Sequence, residues 1–101
     1  MPPIDKKTKL KVYKLLPKIP KGKVSTYKAL TKAVNLNPRV IGMILNRNQK
    51  PQKYPCYKII KNNGGLGGYG GGIKKKNKLL KNDGVVIKNN KIAEKFIVRD
   101  F

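Results

Sequence analysis

The chain has 101 residues, with 25 Lys and Arg against 4 Asp and Glu, no His and one Cys, for a formal charge of +21. That length suits one compact domain, expected over residues 1–101, and the charge calls for a polyanionic partner, nucleic acid ahead of an anionic membrane surface, because so much like charge opposes a compact state on its own. The composition excludes a zinc site and an intramolecular disulfide, and no apolar run reaches the length of a membrane span.

The pattern predicts a first helix over residues 5–16. Asp5 caps it, and Leu10, Val12, Tyr13, Leu15 and Leu16 form an apolar stripe near helical spacing. Pro17 and Pro20 end it, and Lys21-Gly22-Lys23 is a turn. Ser25 or Thr26 caps a second helix over 27–34, with Tyr27, Leu30, Ala33 and Val34 inward. After the turn Asn35-Leu36-Asn37, Pro38 opens a third helix that runs to about Asn46 and carries Val40, Ile41, Ile44 and Leu45 inward. Two short helices joined by a tight turn read as a helix-turn-helix, a unit that places one helix in a DNA groove.

Residues 46–54 lack a period and read as a loop. Pro55 then fixes the approach to Cys56, and Lys58-Ile59-Ile60 reads as a short extended piece. Residues 64–72 hold seven of the ten glycines, so the backbone there can approach a ligand closely. Without a Gly-Lys-Ser/Thr ending the stretch is not a nucleotide-binding P-loop. Ile73 to Asn82 reads as a basic helix with Leu79 and Leu80 inward, stopped at Asp83-Gly84. Its lysine run Lys74-Lys75-Lys76 reads as a solvated or phosphate-facing surface. Residues 85–98 suggest a hairpin, with Val85-Val86-Ile87, a turn at Lys88-Asn89-Asn90-Lys91 and a second strand from Ile92. The expected fold is mainly α with a small β-hairpin, a helix-turn-helix of winged-helix-like form.

A lone cysteine is more often a small core residue than a nucleophile. Its context here changes that reading. Ile19-Pro20-Lys21-Gly22-Lys23-Val24-Ser25-Thr26-Tyr27, Pro38-Arg39-Val40-Ile41-Gly42, Asn48, Pro55-Cys56-Tyr57-Lys58-Ile59, Gly64 to Ile73, and Leu79-Leu80-Lys81-Asn82-Asp83-Gly84 occur in this order. Together, from about Ile19 to Gly84, they resemble the DNA-binding, active-site domain of the O6-alkylguanine-DNA alkyltransferases, with its IPxGxVxTY, ARAVG, PCHRV, GxLGGYxGGL and LLxxEG motifs.

The resemblance implies direct repair of duplex DNA carrying O6-alkylguanine, by a monomer in the cytoplasm, with no cofactor, metal or membrane. Cys56 would accept the alkyl group irreversibly. Arg39 would fill the stack vacated by the flipped base, from a helix lying in the minor groove. Tyr27 would hold the 3′ phosphate side of the target nucleotide, and Asn48 would brace the active-site turn. Tyr69 would bind the guanine, helped by the backbone N–H of Gly70. Lys58 is expected to contact DNA and to favour the thiolate. The chemistry agrees, because a base inside a duplex is unreachable and alkyl transfer needs a thiolate.

Two positions depart from the family. Tyr57 stands where it carries histidine, and a phenol with an ordinary pKa of about 10 is a poor base. Asp83 replaces a glutamate one methylene longer, so the relay from Tyr57 to Asp83 is altered at both ends. The retained cysteine separates the chain from the alkyltransferase-like proteins, which usually carry tryptophan or alanine there. Its short length, without the family's usual N-terminal domain, resembles them instead. A non-catalytic lesion sensor and a general basic DNA-binding protein are therefore the competing readings.

Overall fold

The computed structural model describes residues 5–48, 50, 53–67 and 72–101. Helix α1 spans Lys6–Tyr13 and starts where Asp5 accepts a hydrogen bond from the Thr8 N–H at 2.7 Å. It ends earlier than the predicted 16. Pro17 disfavours the α conformation in Leu16 before it, and the chain tightens into a 3-10 turn over Leu16–Lys18.

Helix α2 spans Tyr27–Val34 and α3 spans Pro38–Asn46. The Thr26 hydroxyl accepts from the Ala29 N–H at 3.0 Å, and Asn37 accepts from the Val40 N–H at 2.9 Å. Each satisfies one of the N–H groups that a helix start leaves without a partner. Asn35 closes α2 in the left-handed conformation, φ 56°, one that asparagine adopts more readily than most residues. Helices α1, α2 and α3 pack against one another.

Two strands of two residues each, β1 (Ser25–Thr26) and β2 (Ile59–Ile60), pair in parallel, Ser25 with Ile59 and Thr26 with Ile60. The extended piece expected at 58–60 therefore starts one residue later, because Lys58 belongs to a 3-10 turn over Cys56–Lys58. This pair separates two apolar clusters. Successive strand residues point to opposite faces, so Ile59 joins Val12, Leu16, Leu30, Ile41 and Ile44, while Ile60 joins Val24, Leu66, Leu80, Val85 and Ile92. Burying each such side chain contributes about 1.5–3 kcal/mol.

Helix α4 spans Ile73–Asn82, as predicted. The hairpin is tighter than expected. Strands β3 (Ile87–Lys88) and β4 (Lys91–Ile92) pair antiparallel around Asn89 and Asn90 alone. Both asparagines have positive φ, 52° and 59°, the requirement of a two-residue hairpin turn that matches the twist of the strands. The second strand stops at Ile92 because a 3-10 turn over Glu94–Phe96 carries the chain back to Val24. There Val24 donates to the Phe96 carbonyl at 2.8 Å, and Val98 donates to the Val24 carbonyl at 2.7 Å. Buried Ser25 donates to the Val98 carbonyl at 2.6 Å. Among the described residues no helix is long and apolar enough to cross a membrane.

Candidate active site and nucleic-acid interface

Cys56 is 8% exposed and ends the first apolar cluster. Pro55 sits at φ −75°, ψ 74°, and the Cys56 N–H donates to the Tyr54 carbonyl at 2.8 Å. These are the dihedrals and the bond of an inverse γ-turn. The same carbonyl accepts from the Asn48 side-chain amide at 2.6 Å, and the Asn48 side-chain oxygen accepts from the Lys50 N–H at 3.0 Å. Asn48 thus ties the end of α3 to the turn that carries the thiol.

Three phenols surround the sulfur electrostatically. Burial is the first cause that raises the pKa of Tyr13, Tyr27 and Tyr57, and the negative charge of Cys56 adds to it in all three. Tyr13 donates its hydroxyl to the Ile44 carbonyl at 2.7 Å and stacks on Tyr54 with ring centroids 5.2 Å apart. Tyr27, at the start of α2, packs against Gly67 in the glycine-dense segment. A Cβ at Gly67 would come 3.4 Å from its ring and 3.7 Å from its hydroxyl. Tyr57 is half-buried, and Asp83 ranks between burial and Cys56 among the causes that raise its pKa. It is held as a neutral phenol, a donor and not a base.

Asp83, the expected relay partner of Tyr57, is held by other groups in the structure. Asp83 Oδ2 accepts from Lys58 Nζ at 2.8 Å and from the Gly22 N–H at 2.9 Å. Lys58 is itself a correction to the expected DNA contact. It is 3% exposed, and its ammonium also donates to the carbonyls of Pro20 at 2.8 Å and Ile19 at 3.4 Å. An ammonium has three N–H donors. All three are directed at protein oxygens, so Lys58 has none to offer a phosphate.

A second buried lysine escaped the sequence reading. Lys76 is 1% exposed and donates from Nζ to the Ile59 carbonyl at 2.6 Å. Burial pulls its pKa down to about 8, and the Cys56 charge opposes that shift. Its four-residue spacing to the fully buried Leu80 places both on one face of α4, but Lys75 has the same spacing to Leu79, so the sequence does not single Lys76 out.

Arg39 is the second residue of α3 and is exposed, on the face away from Ile41, Ile44 and Leu45. Gly42 follows one turn later, and a Cβ there would meet nothing within 4 Å. The outer side of α3 therefore presents a guanidinium beside open space, a surface that a polyanion can approach closely. Tyr69 and Gly70 lie outside the described residues, as do residues 68–71 as a whole.

Residues 7–85 match the family model described as 6-O-methylguanine DNA methyltransferase, DNA binding domain. The methylated-DNA--protein-cysteine methyltransferase of Saccharolobus solfataricus is 43% identical over 88 residues, covering 84% of this chain and 58% of that protein. A bifunctional methyltransferase/endonuclease of Picrophilus torridus is 43% identical over 83 residues, 80% of this chain and 28% of its own length. The chain thus spans from about a quarter to somewhat over half the length of these relatives. Among solved structures, the O6-methylguanine-DNA methyltransferase of Pyrococcus kodakaraensis superposes with a TM-score of 0.71 at 40% identity, over 76% of this chain and 46% of that one. Schizosaccharomyces pombe Atl1, bound to DNA containing O6-carboxymethylguanine, shares the fold with a TM-score of 0.82 at 21% identity, over 95% and 98% of the two chains. With a family model matched over most of its length and a solved relative at 40% identity, the chain belongs to the family of 6-O-methylguanine DNA methyltransferase DNA-binding domains.

Proposed function

We propose that residues 1–101 act as one unit, a monomer that repairs O6-alkylguanine in duplex DNA by moving the alkyl group irreversibly to Cys56. The observation that carries the reading is the thiol itself, held by the Pro55 γ-turn and the Asn48 brace beside Tyr27. The outer face of α3 would meet the duplex, with Arg39 filling the stack left by the extruded base. Tyr27 would press on the 3′ phosphate side of that nucleotide. Tyr69 and the Gly70 N–H would hold the guanine.

The Cys56 thiolate attacks the alkyl carbon. The S–C bond forms as the C–O6 bond breaks, and the electron pair passes to O6. The base leaves as guanine after taking one proton at N1, which balances the proton lost by the thiol. No cofactor enters, and the thioether ends the protein's activity. A neutral Tyr57 serves by donating to the thiolate, since its raised pKa removes it as a base.

One observation favours a second reading. The chain has no histidine anywhere to take the thiol proton, which suits a lesion sensor that binds without transfer. Intact mass and peptide mapping after incubation with a duplex carrying one O6-methylguanine separate the two. One added methyl on Cys56 is expected, and its absence in Cys56→Ser with duplex binding retained assigns the acceptor. No gain in the unaltered protein, with tighter binding to the lesion than to plain duplex, overturns transfer in favour of sensing.

A further inference from the structure

The hairpin carries an apolar cup that the thiol site does not use. Val86 is 48% exposed although its neighbour Val85 is buried. With Ala93 and Phe96 it lines a cavity of about 440 Å³ whose other walls are Lys88, Lys91 and Lys95. Among the described residues no carboxylate lines it. The acid nearest in sequence, Glu94, is already held by Arg99 through two bonds of 2.6 Å. We propose that this cup docks an acidic segment of a partner protein, which sets one large apolar side chain on Val86 and Phe96 and places carboxylates beside Lys88, Lys91 and Lys95.

The cup is fixed before anything binds. The Ile92 N–H donates to the Gly64 carbonyl at 2.9 Å, the Val24 N–H donates to the Phe96 carbonyl at 2.8 Å, and Ile87 and Ile92 pack in the second apolar cluster. A partner therefore does not have to order it, which spares part of the usual cost of association. Exposed lysines draw an anionic partner in, but ion pairs at a rim add little affinity each, so the apolar floor decides how tightly it stays. That floor also separates a peptide from a nucleic-acid strand. Sequence-tolerant strand binding needs an open aromatic face for a base. The Phe96 ring is already covered by the ammonium groups of Lys23 and Lys95, 6.0 and 5.2 Å from its centroid, and Val86 and Ala93 are aliphatic. A phosphate gains nothing from such a floor, whereas an acidic peptide with one apolar residue uses both floor and rim. Phe96 and Ile87 pack on the second cluster, and α3 packs on the first through Ile41 and Ile44. The β1–β2 pair divides the two, so a partner on the hairpin leaves the outer face of α3 open.

This inference goes beyond the alkyl-transfer reading and is tested without it. The probes are two fluorescein-labelled peptides of equal charge, Glu-Glu-Phe-Leu-Glu-Glu and Glu-Glu-Ser-Ser-Glu-Glu, titrated by anisotropy in about 0.15 M salt so that long-range attraction is screened. The apolar peptide should bind about tenfold tighter, as burial of one large side chain requires. Val86→Ser combined with Lys88→Gln and Lys91→Gln should abolish that preference. Lys11→Gln with Lys14→Gln, which removes the same charge from exposed positions on α1, should keep it. Equal binding of the two peptides, or a preference that survives the hairpin substitutions, overturns the proposal. So does an oligo-dT strand that competes with the apolar peptide and loses affinity in the hairpin variant but not in the α1 variant, because the hairpin is then a nucleic-acid wing. Should the hairpin variant fail to fold, amide shifts in the unaltered protein decide. The apolar peptide should move Val86, Lys88, Lys91, Ala93 and Phe96, and shifts confined to other residues overturn the proposal equally.

Discussion

Replacing Lys76 by Met should make the protein less sensitive to pH in its stability, with a size that follows from the structure. The ordinary lysine pKa of 10.5 applies to the unfolded chain, and burial lowers the folded value to about 8. Below pH 8 the lysine is protonated in both states, and the folded state bears the full cost of a buried cation. At about 1.36 kcal/mol per pKa unit, the difference comes to about 3 kcal/mol at pH 7. As pH rises through 8 the folded lysine loses its proton while the unfolded one keeps it, so the cost fades and stability rises. By pH 10 about 2.5 kcal/mol of it is gone.

Met removes that titration but also leaves the Ile59 carbonyl without the ammonium that now reaches it at 2.6 Å. An unsatisfied buried acceptor costs about 1–3 kcal/mol. The net gain at pH 7 is therefore between nothing and about 2 kcal/mol, whereas the change in slope is free of that term. The assay is urea denaturation of both proteins at several pH values between 7 and 10, in 0.2 M salt so that the surface lysines are screened alike. The advantage of the Met variant over wild type should shrink by about 2.5 kcal/mol across the range. Parallel curves would refute the claim that Lys76 is a cation held against its solvation.

Asp83→Asn should lower stability by about 3–5 kcal/mol, because it leaves the Lys58 ammonium buried beside a neutral amide; thermal melting that shifts by only a degree or two would show that the pair holds nothing. Tyr57→His should raise methyl transfer near pH 7 by about tenfold, since an imidazole can accept the thiol proton where a phenol held neutral cannot, and a large fall would show that donation from the phenol is what the thiolate needs. Arg39→Ala should leave stability within about 0.5 kcal/mol, as the side chain is exposed on α3, yet weaken binding to a lesion duplex by about 1–3 kcal/mol more than to plain duplex, read by fluorescence anisotropy; equal losses on both would reduce Arg39 to a phosphate contact.

Helices α2, α3 and α4 were legible because their ends are written in side chains: Thr26, Asn37 with Pro38, and the Asp83-Gly84 stop. The end of α1 was not, since its apolar stripe continues through Leu16 although Pro17 already bends the backbone. Strands of two residues have no period to read. The parallel pairing of Ser25–Thr26 with Ile59–Ile60 is fixed by the two apolar clusters it divides, and these depend on residues far apart in the chain. Ordered motifs single out Cys56, Asn48 and Arg39 as candidates, and the structure places Cys56 and Asn48 around one turn. The lysines were misassigned because composition treats them as equivalent. In a chain with 25 Lys and Arg the default for each is the surface, and the spacing of Lys76 to Leu80 is repeated by Lys75 and Leu79, so nothing local in the sequence sets the buried lysine apart.

The two buried lysines do different things with the same group. Lys58 faces a carboxylate and two carbonyls, so its charge is neutralised where it stands. The result is mechanical. Asp83 at the end of α4 accepts from the Gly22 N–H in the turn before β1, and Lys58, two residues after Cys56, donates to Asp83 and to the Pro20 carbonyl. Such a clamp fixes where the thiol stands relative to α4. Lys76, in contrast, donates to a backbone carbonyl, and burial lowers its pKa to about 8. The Asp83 carboxylate is thus part of a clamp, and Tyr57 beside Cys56 stays neutral.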